Sequence, residues 1–212
     1  MSEPGLEGNR LLPAVLMRAS ARVCDGIAAL FVRGRFTPNA VTVLSFLAGA
    51  ACGALIAWER PFAAWVALCV SGILDAVDGR VAAQTGRKTR FGAVLDSTLD
   101  RYSEFCIFAG LAYHFRGRWT EGLVWVAFLG AMMVSYTRAR AEATGVESRF
   151  GLMQRPERVV LLGSGVFLGA VFKIFDAAMA VVLGTIALLS HITAGQRLLA
   201  VRRAEPKPPG KG

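Results

Sequence analysis

The sequence predicts an all-α integral membrane protein, and three observations carry that prediction. Hydrophobic residues make up 54% of the 212 positions, more than a soluble domain of this length carries. No charged residue occurs from Phe36 to Trp58, and about 20 apolar residues suffice to cross a bilayer. Further apolar runs follow at Pro61–Leu74, Phe105–Tyr113, Gly122–Thr137, Val159–Phe172 and Ile174–Gln196.

In chain order, residues 1–10 are polar, lack the apolar segment of a cleavable signal peptide and read as a disordered N-terminus. Residues 11–35 read as an amphipathic juxtamembrane helix. Leu12, Leu16, Ala19, Val23, Ile27 and Leu30 recur at helical spacing, while Arg18, Arg22 and Asp25 fall on another face. Such a helix lies in a membrane interface, or it packs on the end of a bundle; the stripe alone allows both. Thr37-Pro38-Asn39 then opens the first span, with Thr as N-cap and Pro at the first helical position. Gly49 and Gly53 have the small-x3-small spacing that lets helices approach closely.

Trp58, Trp65, Trp119 and Trp125 sit near span boundaries, where aromatic residues favour the membrane interface. Cys24, Cys52, Cys69 and Cys106 form no C-x-x-C pair and read as small buried hydrophobes, with neither a metal nor a disulfide role. His114 falls at the far end of a span from the acidic residues described next and reads as a satisfied interfacial histidine. Residues 201–212 are polar, basic and Pro-rich, and read as a disordered tail.

The stretch from Asp75 to Asp100 holds two acidic pairs, Asp75 with Asp78 and Asp96 with Asp100. Spacings of three and four put each pair on one helix face. Between them lies a short basic link containing Arg87, Lys88 and Arg90. If that link is a turn between antiparallel helices, all four carboxylates converge at one depth. Four such groups need a counter-charge. Hard divalent cations supply it, since Mg²⁺ takes carboxylate and phosphate oxygens. Solvation or pairing with Arg80, Arg87 and Arg90 is the plainer alternative, and it is weakest for Asp75 and Asp96, which are embedded in apolar sequence. Gly79 and Gly92 leave room for a ligand beside the acids.

These residues resemble the CDP-alcohol phosphatidyltransferases, whose signature runs D-x2-D-G-x2-A-R, then, after about eight residues, G-x3-D-x3-D. Asp75, Asp78, Gly79, Ala82, Gly92, Asp96 and Asp100 match; Ala83 stands where the family has Arg. The resemblance implies six transmembrane helices, at about 37–58, 61–84, 91–115, 119–143, 156–172 and 174–198, within a catalytic domain at 36–200. With a cytoplasmic N-terminus, only Arg60, Arg116, Arg118 and Lys173 fall outside, and Arg101 falls within a span. The remaining Lys and Arg lie inside, the positive-inside pattern. The net charge of +9 is therefore topology and anionic-lipid handling, and no nucleic-acid partner is expected.

By the same resemblance, Asp75, Asp78, Asp96 and Asp100 hold Mg²⁺ or Mn²⁺, two ions in all, and Asp100 is also the general base. Asn39, Gly79, Thr89 and Gly92 border CDP-diacylglycerol; for Asn39, a place in the helix start is an equal reading. Residues 135–145 (SYTRARAEATG) and 154–158 (QRPER) are similar to the phosphatidylinositol phosphate synthase branch. They assign Arg138, Arg140, Arg155 and Arg158 to the acceptor phosphate, a bidentate task that suits guanidinium; topology or lipid headgroups are the alternative for any one of them. Glu104 reads as an outer partner, of Arg101 for instance. The expected protein is a membrane-embedded homodimer in the plasma (inner) membrane, its site facing the cytoplasm. It moves a phosphatidyl group from CDP-diacylglycerol to inositol phosphate and releases CMP. Glycerol 3-phosphate is the rival acceptor, and a divalent-cation transporter the non-enzymatic rival. Prenyl transfer lacks its N-D-x2-D motif here.

Overall fold

The computed structural model describes residues 14–148 and 150–204, with side chains from Val23 onward. All regular structure in them is helical: α1 (Ala14–Arg33), α2 (Pro38–Ala57), α3 (Pro61–Gln84), α4 (Arg90–His114), α5 (Trp119–Ala143), α6 (Arg155–Phe172) and α7 (Phe175–Ala204). The disorder expected of residues 1–10 and of 205–212 lies outside the described residues, but residues 201–204 of the expected disordered tail are helical, the last residues of α7. Helix α7 runs past the expected end at residue 198, because Leu198, Leu199 and Val201 continue its apolar sequence.

Local chemistry fixes the helix ends. Thr37 caps α2, accepting from the Ala40 amide at 3.2 Å, and Pro38 follows it. Helix α3 closes in a Schellman turn: Arg87 N donates to Ala82 O, Gly86 N donates to Ala83 O, and Gly86 takes φ 65°. Three other helices end the same way on a residue with a side chain, at Arg35 (φ 59°), Glu59 (φ 57°) and Lys173 (φ 56°).

Among the described residues, four helices are long and apolar enough to cross a membrane: α2, α3, α5 and α7. The other two expected spans carry more charge. Helix α4 contains Asp96, Asp100, Arg101 and Glu104, and α6 begins with Arg155, Glu157 and Arg158.

The chain divides into two compact units. The first joins residues up to Ala54 with Val66–Ile107. Its core holds Ala28, Val41, Val77 and Val81, with Cys24, Ile27, Phe31, Val32 and Leu74 packed against them. The inner stripe of α1 therefore packs on α2 and α3. Val23 and Leu30, over 60% exposed, form a second apolar strip outside that contact. Arg80 on α3 also grips α1, its Nε donating to Asp25 Oδ1 at 2.7 Å. Ser45 and Ser71 exchange hydroxyl-to-carbonyl bonds between α2 and α3, both at 2.9 Å. Gly53 meets the Cys106 carbonyl and Gly49 the Ser103 side chain, so α2 lies close against α4 as the small-residue spacing predicts. The cysteines are free thiols; only Cys52 is buried, and Cys69 is exposed.

The second unit joins Leu55–Trp65 with the chain from Phe108. Helices α5, α6 and α7 pack closely here. Gly130 admits Ser190 and His191, Gly165 admits Val182, and Gly169 admits Phe175. His114 Nε2 meets Asp176 Oδ1 at 2.8 Å, and Arg118 bonds the other oxygen of that carboxylate. His114 is thus paired through Nε2, while its buried Nδ1 has no hydrogen-bond partner among the described residues, so the expectation of a satisfied histidine holds for one ring nitrogen only.

Candidate active site

The acidic site lies in the first unit and follows from the α3–α4 hairpin. Asp78 stands six residues before the end of α3 at Gln84, and Asp96 six residues after the start of α4 at Arg90; Asp75 and Asp100 stand nine and ten residues in. At a rise of about 1.5 Å per residue, the pairs reach equal depths. The link holds this register through a cap on each side. Gly86 closes α3, and Thr89 Oγ1 accepts the Gly92 amide at 2.9 Å to open α4.

Carboxylate oxygens of Asp75, Asp96 and Asp100, all half-buried, lie within 4.8 Å of one another. Three hard oxygen donors so placed, partly shielded from water, fit a divalent cation such as Mg²⁺ or Mn²⁺. The fourth predicted ligand, Asp78, stands apart from this trio. It is 8% exposed, and Thr42 Oγ1 donates to its Oδ2 at 2.7 Å. Arg101 turns to Asp100 (3.4 Å) and to the Ser97 carbonyl (2.8 Å).

A cavity of about 260 Å³ adjoins the acids, walled by Asp78 and Asp96 together with Asn39, Gly79, Thr89 and Gly92. The four residues assigned to the nucleotide lipid thus border one space. A Cβ on Gly79 would meet nothing within 4 Å, so that glycine opens onto the cavity; one on Gly92 would press on Thr89 and Asn39. Arg87 and Lys88 complete the wall. Of the two cations near Ala83, Arg80 is spent on Asp25 and the Ala76 carbonyl, whereas Arg87 faces the cavity.

The arginine group lies in the second unit. Arg158 is fully buried and donates to the Met153 carbonyl at 3.4 Å. Arg138 is half-exposed and pairs with Glu142 at 2.9 Å; Arg155 is half-buried and Arg140 exposed. The charges of Arg138 and Arg158 act on Arg197 of α7, with Glu142 opposing them. Arg197, 1% exposed, donates to the carbonyl of Phe150 in the α5–α6 loop and to that of Val134 within α5, tying the loop to the helix. Thr193 accepts the Leu152 and Met153 amides of the same loop. Sequence reasoning missed Thr42 and Arg197; neither stands in a motif, and each acts through a partner distant in the chain.

The sequence profile of the CDP-alcohol phosphatidyltransferase family matches residues 35–197. The chain belongs to this family. It is 37% identical to phosphatidylinositol phosphate synthase of Mycobacterium tuberculosis (strain H37Rv) over 198 residues, covering 90% of each chain. To archaetidylinositol phosphate synthase of Pyrococcus horikoshii it is 33% identical over 168 residues, covering 79% of this chain and 84% of that one. Among solved structures, the M. tuberculosis phosphatidylinositol phosphate synthase in complex with manganese and citrate superposes with a TM-score of 0.78. Its identity is 32%, over 89% of this chain and 96% of that one. The same enzyme with CDP-DAG bound gives a TM-score of 0.77 and 33% identity, over 85% and 94%. The protein is an integral membrane enzyme of the CDP-alcohol phosphatidyltransferase family.

Proposed function

We propose that this phosphatidyltransferase moves the phosphatidyl group of CDP-diacylglycerol to an inositol phosphate and releases CMP. The observation that carries the reading is the trio Asp75, Asp96 and Asp100 beside a cavity walled by Asn39, Gly79, Thr89 and Gly92. Its closeness to named inositol phosphate synthases supports the choice of acceptor. Asp75, Asp78, Asp96 and Asp100 would hold two divalent ions, Mg²⁺ or Mn²⁺, whose bound charge offsets that of a diphosphate. Asn39 and Thr89 orient the cytidine diphosphate, and Gly79 and Gly92 make room for it. Asp100 takes the proton of the acceptor hydroxyl. The new oxygen–phosphorus bond forms at the β-phosphorus as the bridging oxygen leaves with CMP. Arg138, Arg140, Arg155 and Arg158 receive the acceptor phosphate, with Arg197 beside Arg138 and Arg158 as a fifth guanidinium.

In this reading all six helices from α2 to α7 span the plasma (inner) membrane, and the site faces the cytoplasm. The charges of α4 turn toward the site, and those of α6 lie at its cytoplasmic start. Helix α1 lies at the interface with Val23 and Leu30 toward lipid, and the enzyme is a homodimer. The deciding assay supplies detergent-solubilised protein with CDP-diacylglycerol and either inositol phosphate or glycerol 3-phosphate, and follows CMP. Release is expected with inositol phosphate and is expected to fall at least 100-fold in Asp100→Asn. Turnover with glycerol 3-phosphate alone would overturn the acceptor assignment. Divalent-ion uptake into liposomes without any CMP release would favour the transporter.

A further inference from the structure

We infer that Thr42 is a positioning residue, whose hydroxyl fixes the Asp78 carboxylate for the divalent-ion site. Thr42 and Asp78 are 6% and 8% exposed and meet at 2.7 Å across 36 residues of chain. Among the described residues this is the one side-chain hydrogen bond to Asp78. The Thr42 hydroxyl also lies 3.1 Å from the Pro38 carbonyl one turn earlier. A threonine on a helix can satisfy itself on that carbonyl alone. With a single hydrogen to give, the shorter, charge-assisted bond to Asp78 takes precedence. The need therefore lies with the aspartate.

Two features make that need specific. Asp75 and Asp96 act on Asp78 as like charges, so an untethered carboxylate would swing away from them. The adjacent Gly79 adds no restraint, since it has no side chain and a Cβ there would meet nothing within 4 Å. Thr42 closes off that freedom. It holds Oδ2 of Asp78, a residue that lines the cavity together with Asp96, and adds a side-chain tether to the main-chain hydrogen bond from Gly79. It also joins α2, which carries Asn39 one turn away, to the acidic hairpin, so the cavity wall and the carboxylates move together.

The inference rests on the metal role proposed for Asp78, but its test needs no turnover. Mn²⁺ is titrated into the detergent-solubilised full chain, and free Mn²⁺ is read by electron paramagnetic resonance. Thr42→Val keeps the shape and removes the hydroxyl; it is expected to weaken Mn²⁺ binding about 10- to 100-fold, the usual cost of losing a partner that orients a metal ligand. Thr42→Ser restores the donor and is expected to bind within about threefold of the parent. In the Asp78→Asn background, Thr42→Val is expected to add little, because the two changes remove one interaction. The inference is overturned if Thr42→Val binds like the parent, if Ser is as poor as Val, if the two changes multiply, or if the parent binds no Mn²⁺. Intact Mn²⁺ behaviour without CMP release from inositol phosphate would instead leave Thr42 in place and remove the acceptor reading.

Discussion

Asp96→Asn separates the two effects that a crowded acidic site has on stability, because it removes one charge with almost no change of shape. Oxygens of Asp75, Asp96 and Asp100 lie within 4.8 Å of one another; at an effective dielectric constant of about 20, each ionised pair at that separation repels by about 3.5 kcal/mol. Two of the three pairs involve Asp96, so the gross repulsion at that separation is about 7 kcal/mol. Salt, solvent and the Arg101 guanidinium 3.4 Å from Asp100 relieve most of it. A net of roughly 1–2 kcal/mol corresponds to about 2–8 °C for a chain of this length. In EDTA, Asp96→Asn is expected to melt higher than the parent by that margin. Adding Mn²⁺ reverses the order: a parent holding the ion at 100 times its Kd gains about 2.7 kcal/mol, and the variant gains little. Tryptophan-fluorescence melting in detergent, with EDTA and then with excess Mn²⁺, measures both signs. A variant that melts below the parent in EDTA, or that gains as much from Mn²⁺, would refute the reasoning.

Further outcomes follow from single positions. Because Arg87 and Lys88 already stand in the cavity wall, Ala83→Arg is expected to change the KM for CDP-diacylglycerol by less than about threefold. A tenfold or larger fall, the scale of a charged hydrogen bond at roughly 1.5–3 kcal/mol, would show that nothing compensates for Ala83. Gly53→Ala drives a methyl into the backbone of Cys106, which cannot yield as a side chain would. A loss of about 1–3 kcal/mol is expected in melting experiments. Gly26→Ala, with nothing within 4 Å, serves as its control and is expected to gain roughly 0.5–1 kcal/mol of helix stability. Lys173 ends α6 at φ 56°, so Lys173→Gly is expected to raise stability by about 1 kcal/mol; an unchanged melting temperature would mean that the lysine side chain offsets its backbone cost.

What the sequence made legible was local. The start of α2 is written in Thr37-Pro38; the bounds of α3 and α4 fall within a residue of those the family resemblance implies, while the caps at Gly86 and Thr89 that fix them emerge only from the structure. The acidic pairs were legible because spacings of three and four force a shared face. Other features depend on partners far along the chain. Thr42 reads as one more polar residue in an apolar run until α3 is placed beside it. Arg197 reads as a topological charge until its guanidinium is seen to hold the loop at Phe150. Arg35, Glu59 and Lys173 sit where glycine is favoured, and a side chain in that role leaves no sequence signal. The stripe on α1 left its contacts open for the same reason, since Ile27 and Phe31 declare only that they are apolar.

The effect of Ala83 on the acidic hairpin follows from how that hairpin is built. Depth and facing of the carboxylates are set by residue counts on two helices and by the caps at Gly86 and Thr89, none of which involves the side chain at 83. Replacing the family arginine therefore leaves the acid geometry untouched and removes only a positive charge. The Schellman turn brings a basic residue to the same cavity, because the amide of Arg87 closes α3 on Ala82 and Arg87 stands in the wall that Asp78 also lines. A cation one turn beyond position 83 needs no change in fold to serve a diphosphate. Arg80, three residues before it, is excluded by its bond to Asp25, which commits that guanidinium to holding α1.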